Sequence, residues 1–300
     1  MKVLVAGASG QVGSELVLSA PDWAEVVAPD SNSLDISSEN SVADAVSLHA
    51  PDLIINAAAY TTVDAAESDE ARATQVNSDG PANLGRAAAR LGIPVFHIST
   101  DYVFSGDAIH PYDETASASP MTAYGRSKLA GEQRLVMECE RHLILRTSWV
   151  FSAHGSNFVK TMLRLGRERS VLGIVADQQG CPTAAHSIAV ALWRLAQRWY
   201  QRPASEFVWG TFHFAGTPAT DWHAFAQEIF LQASELGLVD PAPVVDAIAS
   251  QDYPTPARRP AYSVLDCSRL RLAHGIDQPQ WDADLGEVLA TLGKVPAAPG

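Results

Sequence analysis

The chain has 300 residues, 47% of them hydrophobic and 18% charged, and a formal net charge of −13. That acidic balance argues against nucleic acid and anionic membrane surfaces as partners, while leaving room for a small anion held by local donors. No apolar run approaches the roughly 18 residues that a membrane helix needs, and the apolar stretch at residues 3–6 is far too short for a signal-peptide core.

Residues 2–6 read as a short strand, 12–20 as a helix and 25–28 as a second strand. Residues 41–49 read as a helix with Asp35, Ser37 and Ser38 as caps, and 53–58 as a third strand. A long helical stretch covers about 69–91, a buried strand 95–98, a mainly helical segment 120–141 and a further strand 142–145. Strands alternating with helices imply βαβ units and a parallel sheet. The expected fold is α/β: a Rossmann-type doubly wound parallel sheet over residues 1–150. A smaller mixed C-terminal lobe over 151–300 should be partly interleaved with that sheet. In this lobe 157–167 and 185–199 read as helices, 201–207 as a surface loop and 294–300 as a frayed tail. Cys139, Cys181 and Cys267 are too widely spaced to suggest a metal or disulfide framework, so a reducing, cytoplasmic setting and no metal are expected.

Gly7-Ala8-Ser9-Gly10-Gln11-Val12-Gly13 follows the first strand and opens the first helix. Glycines let the backbone turn sharply and approach a pyrophosphate, and a helix N-terminus supplies unpaired N–H donors. The strand–turn–helix context makes dinucleotide binding the expectation. Asp30, at the end of the second strand, is placed to accept from a ribose 2′-hydroxyl, which favours NAD(H). Asp35 and Ile36 either line the adenine or serve as a helix cap and a core residue.

Tyr124 and Lys128 stand four apart and share a helix face. An ammonium beside a phenol lowers its pKa, and the pair can then deliver a proton to an alkoxide. Residues 95–98 bring Ser99, Thr100 and Asp101 to the carboxyl edge of the sheet, where open α/β folds bind ligands.

These segments together resemble the extended short-chain dehydrogenase/reductase superfamily, and within it the dTDP-4-dehydrorhamnose reductases. The specific stretches are Asn56-Ala57-Ala58-Ala59-Tyr60-Thr61, Ser99-Thr100-Asp101-Tyr102-Val103-Phe104 and Arg146-Thr147-Ser148-Trp149-Val150-Phe151, with matching segments almost from end to end. The resemblance implies that Gly7, Gly10, Gln11, Val12 and Gly13 hold the pyrophosphate turn, that Ala59, Tyr60 and Thr61 line NADPH or NADH, and that Ile98 lies near the nicotinamide. It implies Thr100, Tyr124 and Lys128 as the catalytic set, with Tyr124 and Lys128 also touching the cofactor. Val63, Thr100, Asp101 and Trp149 would meet the substrate, a dTDP-linked 4-keto-6-deoxysugar, reduced to dTDP-L-rhamnose in a cytoplasmic enzyme for which a homodimer is one expected state. Trp149 reads either as a stacking platform or as a core aromatic. An epimerase or dehydratase of the same superfamily, and a non-catalytic NAD(P)-binding regulatory subunit, are the competing readings. Ser31 stands where such reductases often carry arginine, and Tyr262 where they often carry asparagine. Glu15 matches a glutamate of a metal-linked dimer contact in some relatives, but no acidic partners for it can be read. His97 and His213, inside apolar runs, read as satisfied core histidines, and His154 as a loop histidine.

Overall fold

The computed structural model describes residues 1–201 and 206–294. Residues 202–205 of the expected loop and 295–300 of the expected tail lie outside the described residues. Strand β1 (Lys2–Ala6), helix α1 (Gln11–Leu18), β2 (Glu25–Val27), α2 (Glu39–His49) and β3 (Leu53–Asn56) open the chain. Two short helices, α3 (Val63–Ala66) and α4 (Glu70–Thr74), lead through a π-helical turn (Gln75–Asp79) into α5 (Gly80–Leu91). Then come β4 (Val95–Thr100), α6 (Ala123–Glu138) and β5 (His142–Thr147). The second half holds β6 (Val150–Phe151), α7 (Phe158–Glu168), β7 (Val171–Val175), β8 (Gln179–Gly180), β9 (Thr183–Ala184) and α8 (Ala185–Gln201). It ends with β10 (Gly210–His213), β11 (Thr220–Asp221), α9 (Trp222–Glu235), β12 (Val244–Ile248), α10 (Ser268–His274) and α11 (Trp281–Lys294).

Six strands pair in the order β10-β5-β4-β3-β1-β2, every pair parallel. Continuous apolar runs such as Val3-Leu4-Val5 suit a sheet covered on both faces. Successive side chains point to opposite faces. Val3 and Val5 therefore join the core under α1 and α8, with Leu16, Ile188 and Leu192. Leu4 and Ala6 join the core under α2, α5 and α6, with Val42, Val46, Leu84 and Leu135. Strand β10 comes from the second half and edges the sheet beside β5, so the chain crosses back after residue 150. A separate core gathers α7, α9 and α11 around Val159, Leu163, Phe225, Ile229, Leu285 and Leu289, beside the parallel pair β7–β12.

The helical stretch expected at 69–91 is present as a continuous helical run from Glu70 to Leu91, with a π-helical segment inside it. The π turn at Gln75–Asp79 inserts between α4 and α5 and turns Asn77 and Ser78 inward. Strand β4 runs two residues further than its apolar pattern, because Ser99 and Thr100 keep pairing with Arg146 and Thr147 of β5. The start of α6 is fixed twice. Thr122 Oγ1 accepts the Gly125 N–H at 3.0 Å, and Glu67 Oε1 accepts that of Ala123 at 2.8 Å. This sets Tyr124 in the first turn, with Lys128 one turn on.

Candidate active site

Gly7 has φ +80°, and a Cβ on it would lie 2.5 Å from the Ala58 backbone. A Cβ on Gly13 would lie 2.0 Å from the Gly7 carbonyl oxygen. Both glycines are therefore demanded by the turn and by the approach of α1 to the strands. Gly10 is different: it is exposed, and its Cβ would meet only the Gly7 oxygen, at 3.3 Å. Side-chain oxygens cap α2, α6, α7 and α9, but none caps α1, and its first turn holds no acidic residue. The N–H donors at this end remain for an anion, as a dinucleotide pyrophosphate requires. Val12 is buried, so only its backbone can serve there, and Gln11 Oε1 accepts from Asn157 Nδ2 at 2.9 Å, tying the turn to α7.

Beyond β2, Asp30 is exposed, and its Oδ1 accepts the N–H groups of Asn32 and Ser33 at 3.2 and 2.9 Å. Those bonds hold its carboxyl below the usual range. Asp35 folds onto Ser37 in the same way, accepting from its N–H and its hydroxyl. Ile36 is buried in the core against Gly80. Ile36 is thus a core residue, while Asp35 does not cap α2, whose N-cap is Ser38, and instead closes its own turn. After β3, Ala59, Tyr60 and Thr61 cross the sheet edge. Tyr60 is gripped by Asn77, whose side chain accepts its N–H at 2.8 Å and donates to its carbonyl at 3.0 Å. No role for Asn77 was read from the sequence; the available signal was an asparagine amid the helical pattern.

Thr100 ends β4 and is buried; its hydroxyl donates to Asp101 Oδ1 at 2.9 Å. Asp101 is buried too. Its Oδ2 lacks a well-formed hydrogen bond, and burial raises its pKa to about 6. Tyr124 packs edge-on to Tyr102 and sits in a small apolar cluster with Tyr60 and Val63. The phenol expected to be acidified by its neighbouring ammonium is instead pushed up by burial, with a hydrogen bond to Thr100 as the largest influence opposing that rise. The reason is where Lys128 Nζ goes. Nζ donates to the Ile98 carbonyl at 2.7 Å and lies 3.3 Å from His97 Nε2. Ile98 itself is partly exposed and serves through this carbonyl. Lys128 is buried, which lowers its pKa to about 8 against the opposing pull of Glu132. Glu132 is in turn paired with Arg146 at 2.6 Å.

On the far side of the site, Asp64, next to Val63, pairs with Arg259 at 2.7 Å, and Arg259 also donates to the Tyr102 hydroxyl at 3.0 Å. This tie between the first turn of α3 and the C-terminal segment was not foreseen, because 195 residues separate its ends. Trp149, at φ +46°, stacks on Trp222 with ring centroids 3.5 Å apart. Gly180 backs onto the same indole, where a Cβ would come within 2.5 Å of the ring. Of the two readings of Trp149, the packing against Trp222 and Gly180 fits the core aromatic, with the ring edge left for any ligand. His213 is a satisfied core histidine: its Nδ1 pairs with the Tyr112 carbonyl at 3.0 Å, and burial beside Arg146 takes its pKa to about 3. His154 lies 3.7 Å and His186 3.4 Å from Glu15, in a groove that Asp284 and Glu287 also line. Among the described residues no group of three or more His, Cys, Asp or Glu is arranged to hold a metal ion, and no helix is long and apolar enough to cross a membrane.

The family model described as RmlD substrate binding domain matches residues 1–294 of the chain. A curated dTDP-4-dehydrorhamnose reductase of Sinorhizobium fredii is 42% identical, over 94% of this chain and 94% of its own. Two crystal structures are similar at 35% identity and TM-score 0.88, each covering 97% of this chain and 99% of its own. One is a dTDP-4-dehydrorhamnose reductase of Clostridium acetobutylicum. The other is the Bacillus anthracis enzyme of the same name, in complex with NADP.

Proposed function

The chain belongs to the family described as RmlD substrate binding domain, and on that premise we propose that it is an NAD(P)H-dependent oxidoreductase that reduces the 4-keto group of dTDP-4-dehydro-6-deoxy-L-mannose to give dTDP-L-rhamnose. One observation carries the reading. Thr100 ends β4 and hydrogen-bonds with Tyr124 of α6, while Lys128, one turn on, reaches the Ile98 carbonyl of the same strand, in the sheet whose first strand leads into the uncapped glycine turn.

The residues present fit a nicotinamide dinucleotide. Gly7, Gly10, Gln11, Val12 and Gly13 offer the turn and its open N–H donors to the pyrophosphate, with Asp30 toward the adenosine ribose. Ala59, Tyr60, Thr61 and Ile98 lie along the strand ends that would carry the nicotinamide half. Asp35 and Ile36 contribute to the adenine side mainly by shaping the loop. When bound, the reduced nicotinamide supplies a hydride to the keto carbon. Tyr124 supplies the proton that the resulting alkoxide needs. A phenol held up in pKa stays protonated across neutral pH, which suits an acid in the reductive direction. Thr100 orients the phenol and the substrate oxygen, and Lys128 compensates the charge left on Tyr124. Val63, Asp101 and the edge of Trp149 complete the pocket for the sugar nucleotide. We expect a homodimer in the cytoplasm, where nucleotide sugars and NAD(P)H are both made.

The test is to follow the absorbance of reduced nicotinamide with the 4-keto dTDP-sugar present. Stoichiometric oxidation is expected. No oxidation, or tightly retained cofactor with the sugar epimerised, would overturn the reading.

A further inference from the structure

His97 lies fully buried on β4 and touches two polar side chains. Asn56 Nδ2 is 3.0 Å from its Nδ1, and Lys128 Nζ is 3.3 Å from its Nε2. The Asn56 amide cannot turn round, because its Oδ1 accepts the Ala58 N–H at 3.1 Å. Nδ2 therefore donates, and Nδ1 of His97 must accept. Burial alone is enough to keep the ring neutral, whatever the charge on Lys128. A neutral imidazole that accepts at one nitrogen carries its proton on the other. The Nε2–H then faces Nζ, and a hydrogen aimed there needs a lone pair, which an ammonium lacks and an amine has. The neutral amine has one further use already fixed: an N–H given to the Ile98 carbonyl at 2.7 Å. Its second N–H is left for the site.

We propose that Asn56 and His97 form a positioning pair for Lys128, which by fixing the Nε2–H tautomer pins Nζ against the Ile98 carbonyl and favours its neutral amine. The pair deepens the reductase reading, which gives Lys128 its purpose. Among the described residues, the charge acting on Nζ comes from one carboxylate. Glu132, on its own helix, favours the ammonium but is engaged by Arg146 of β5, and Tyr124 is held protonated. Burial, which lowers the Lys128 pKa to about 8, brings the amine within reach of neutral pH although the ammonium is still the larger fraction there. A lysine balanced in this way takes up a proton from solvent at little cost when the Tyr124 proton has gone to the substrate and negative charge is left on the phenol.

The test needs neither substrate nor cofactor. In the unsubstituted chain labelled with 15N-histidine, His97 should show the Nε2–H tautomer and no titration across the neutral range; an Nδ1–H tautomer or an imidazolium would overturn the proposal. The four lysines, Lys2, Lys128, Lys160 and Lys294, are few enough to follow separately by 13C labelling. Asn56→Asp should reverse the tautomer, because the carboxylate accepts from Nδ1–H and turns a lone pair toward Nζ. The Lys128 midpoint should then rise by about one pH unit or more. In a His97→Gln background the same substitution should lose most of that rise. Equal shifts in both backgrounds would mean that the new carboxylate acts by charge alone, and the tautomer would have no part. Failure here leaves the reductase reading standing, since the absorbance assay decides that independently.

Discussion

Asn77 holds Tyr60 by both of its backbone polar groups, accepting from the N–H at 2.8 Å and donating to the carbonyl at 3.0 Å. Its Nδ2 also lies 3.0 Å from Ser127 Oγ, so the π turn ties the segment after β3 to the helix that carries Tyr124 and Lys128. Asn77→Leu should leave the Tyr60 N–H and carbonyl unpaired, at about 1–3 kcal/mol for each buried group. Cofactor affinity should fall together with stability. Urea unfolding and a fluorescence titration with NADPH check the two effects, and unchanged affinity would detach Asn77 from the cofactor site.

Tyr124→Phe should keep the fold and cofactor binding and lose about 10²–10⁴-fold in turnover, the usual contribution of a general acid. The ring keeps its contact with Tyr102, so only the hydroxyl and its tie to Thr100 are lost. Activity within about threefold of the parent would remove Tyr124 from the role of acid, since it would lie far below that range.

Asp101 offers a pH signature. Burial raises its pKa from 3.8 to about 6 in the folded chain. A raised folded pKa means that the stability gained is fully present below the unfolded value and is lost as pH rises through the folded one. The parent should therefore lose about 2–3 kcal/mol from this group between acidic and neutral pH, which Asp101→Asn should not lose. Urea unfolding of both proteins at several pH values measures the difference. A constant difference across that window would mean that Asp101 does not titrate there.

Much of this was legible because it is local. The glycine turn, the Tyr124–Lys128 spacing and the strand delivering Thr100 depend on residues close in sequence, and each lies where its pattern places it. What escaped depends on long-range partners. Arg259 meets Asp64 across 195 residues, and the Trp149 ring is filled by Trp222 and Gly180 from other elements. The direction of the Tyr124 shift also escaped. An i, i+4 pair shares a face, but a flexible four-carbon stem lets Nζ turn to the Ile98 carbonyl, and burial then decides the phenol. The pattern of β10 gave a strand-like run around His213 without showing that it would edge the main sheet, because register between distant strands is not a local property.

Two glycines of one turn should fail differently. Gly10→Val should abolish cofactor affinity at modest cost to folding, because its side chain would block the approach of the pyrophosphate while its Cβ meets only the Gly7 oxygen, at 3.3 Å. Gly13→Val should unfold the turn itself, since even a Cβ lies 2.0 Å from the Gly7 oxygen. Thermal melts and NADPH titrations separate the cases; intact cofactor binding by Gly10→Val would refute the site.

Cofactor choice turns on Asp30. Its charge should repel a 2′-phosphate, and Ser31 offers no guanidinium to attract one. Its carboxylate, however, is partly committed: Oδ1 accepts from Asn32 and Ser33, leaving Oδ2 to meet a ribose. The same loop exposes Asn32 and Ser33, whose side chains can donate to a phosphate if one arrives. The expected result is use of both NADH and NADPH with a preference below about tenfold, or roughly 1.4 kcal/mol. Asp30→Ala would confuse the test, because it removes the charge and the turn bonds together. Asp30→Asn keeps an oxygen for the Asn32 and Ser33 N–H groups and removes only the charge, so it should shift the ratio of kcat/KM values toward NADPH while leaving NADH use nearly unchanged. Asp30→Ala should shift the ratio the same way and also weaken both cofactors through a loosened loop. If NADPH is already preferred a hundredfold by the parent and neither substitution moves the ratio, Asp30 serves only its own turn and the ribose is read by other residues.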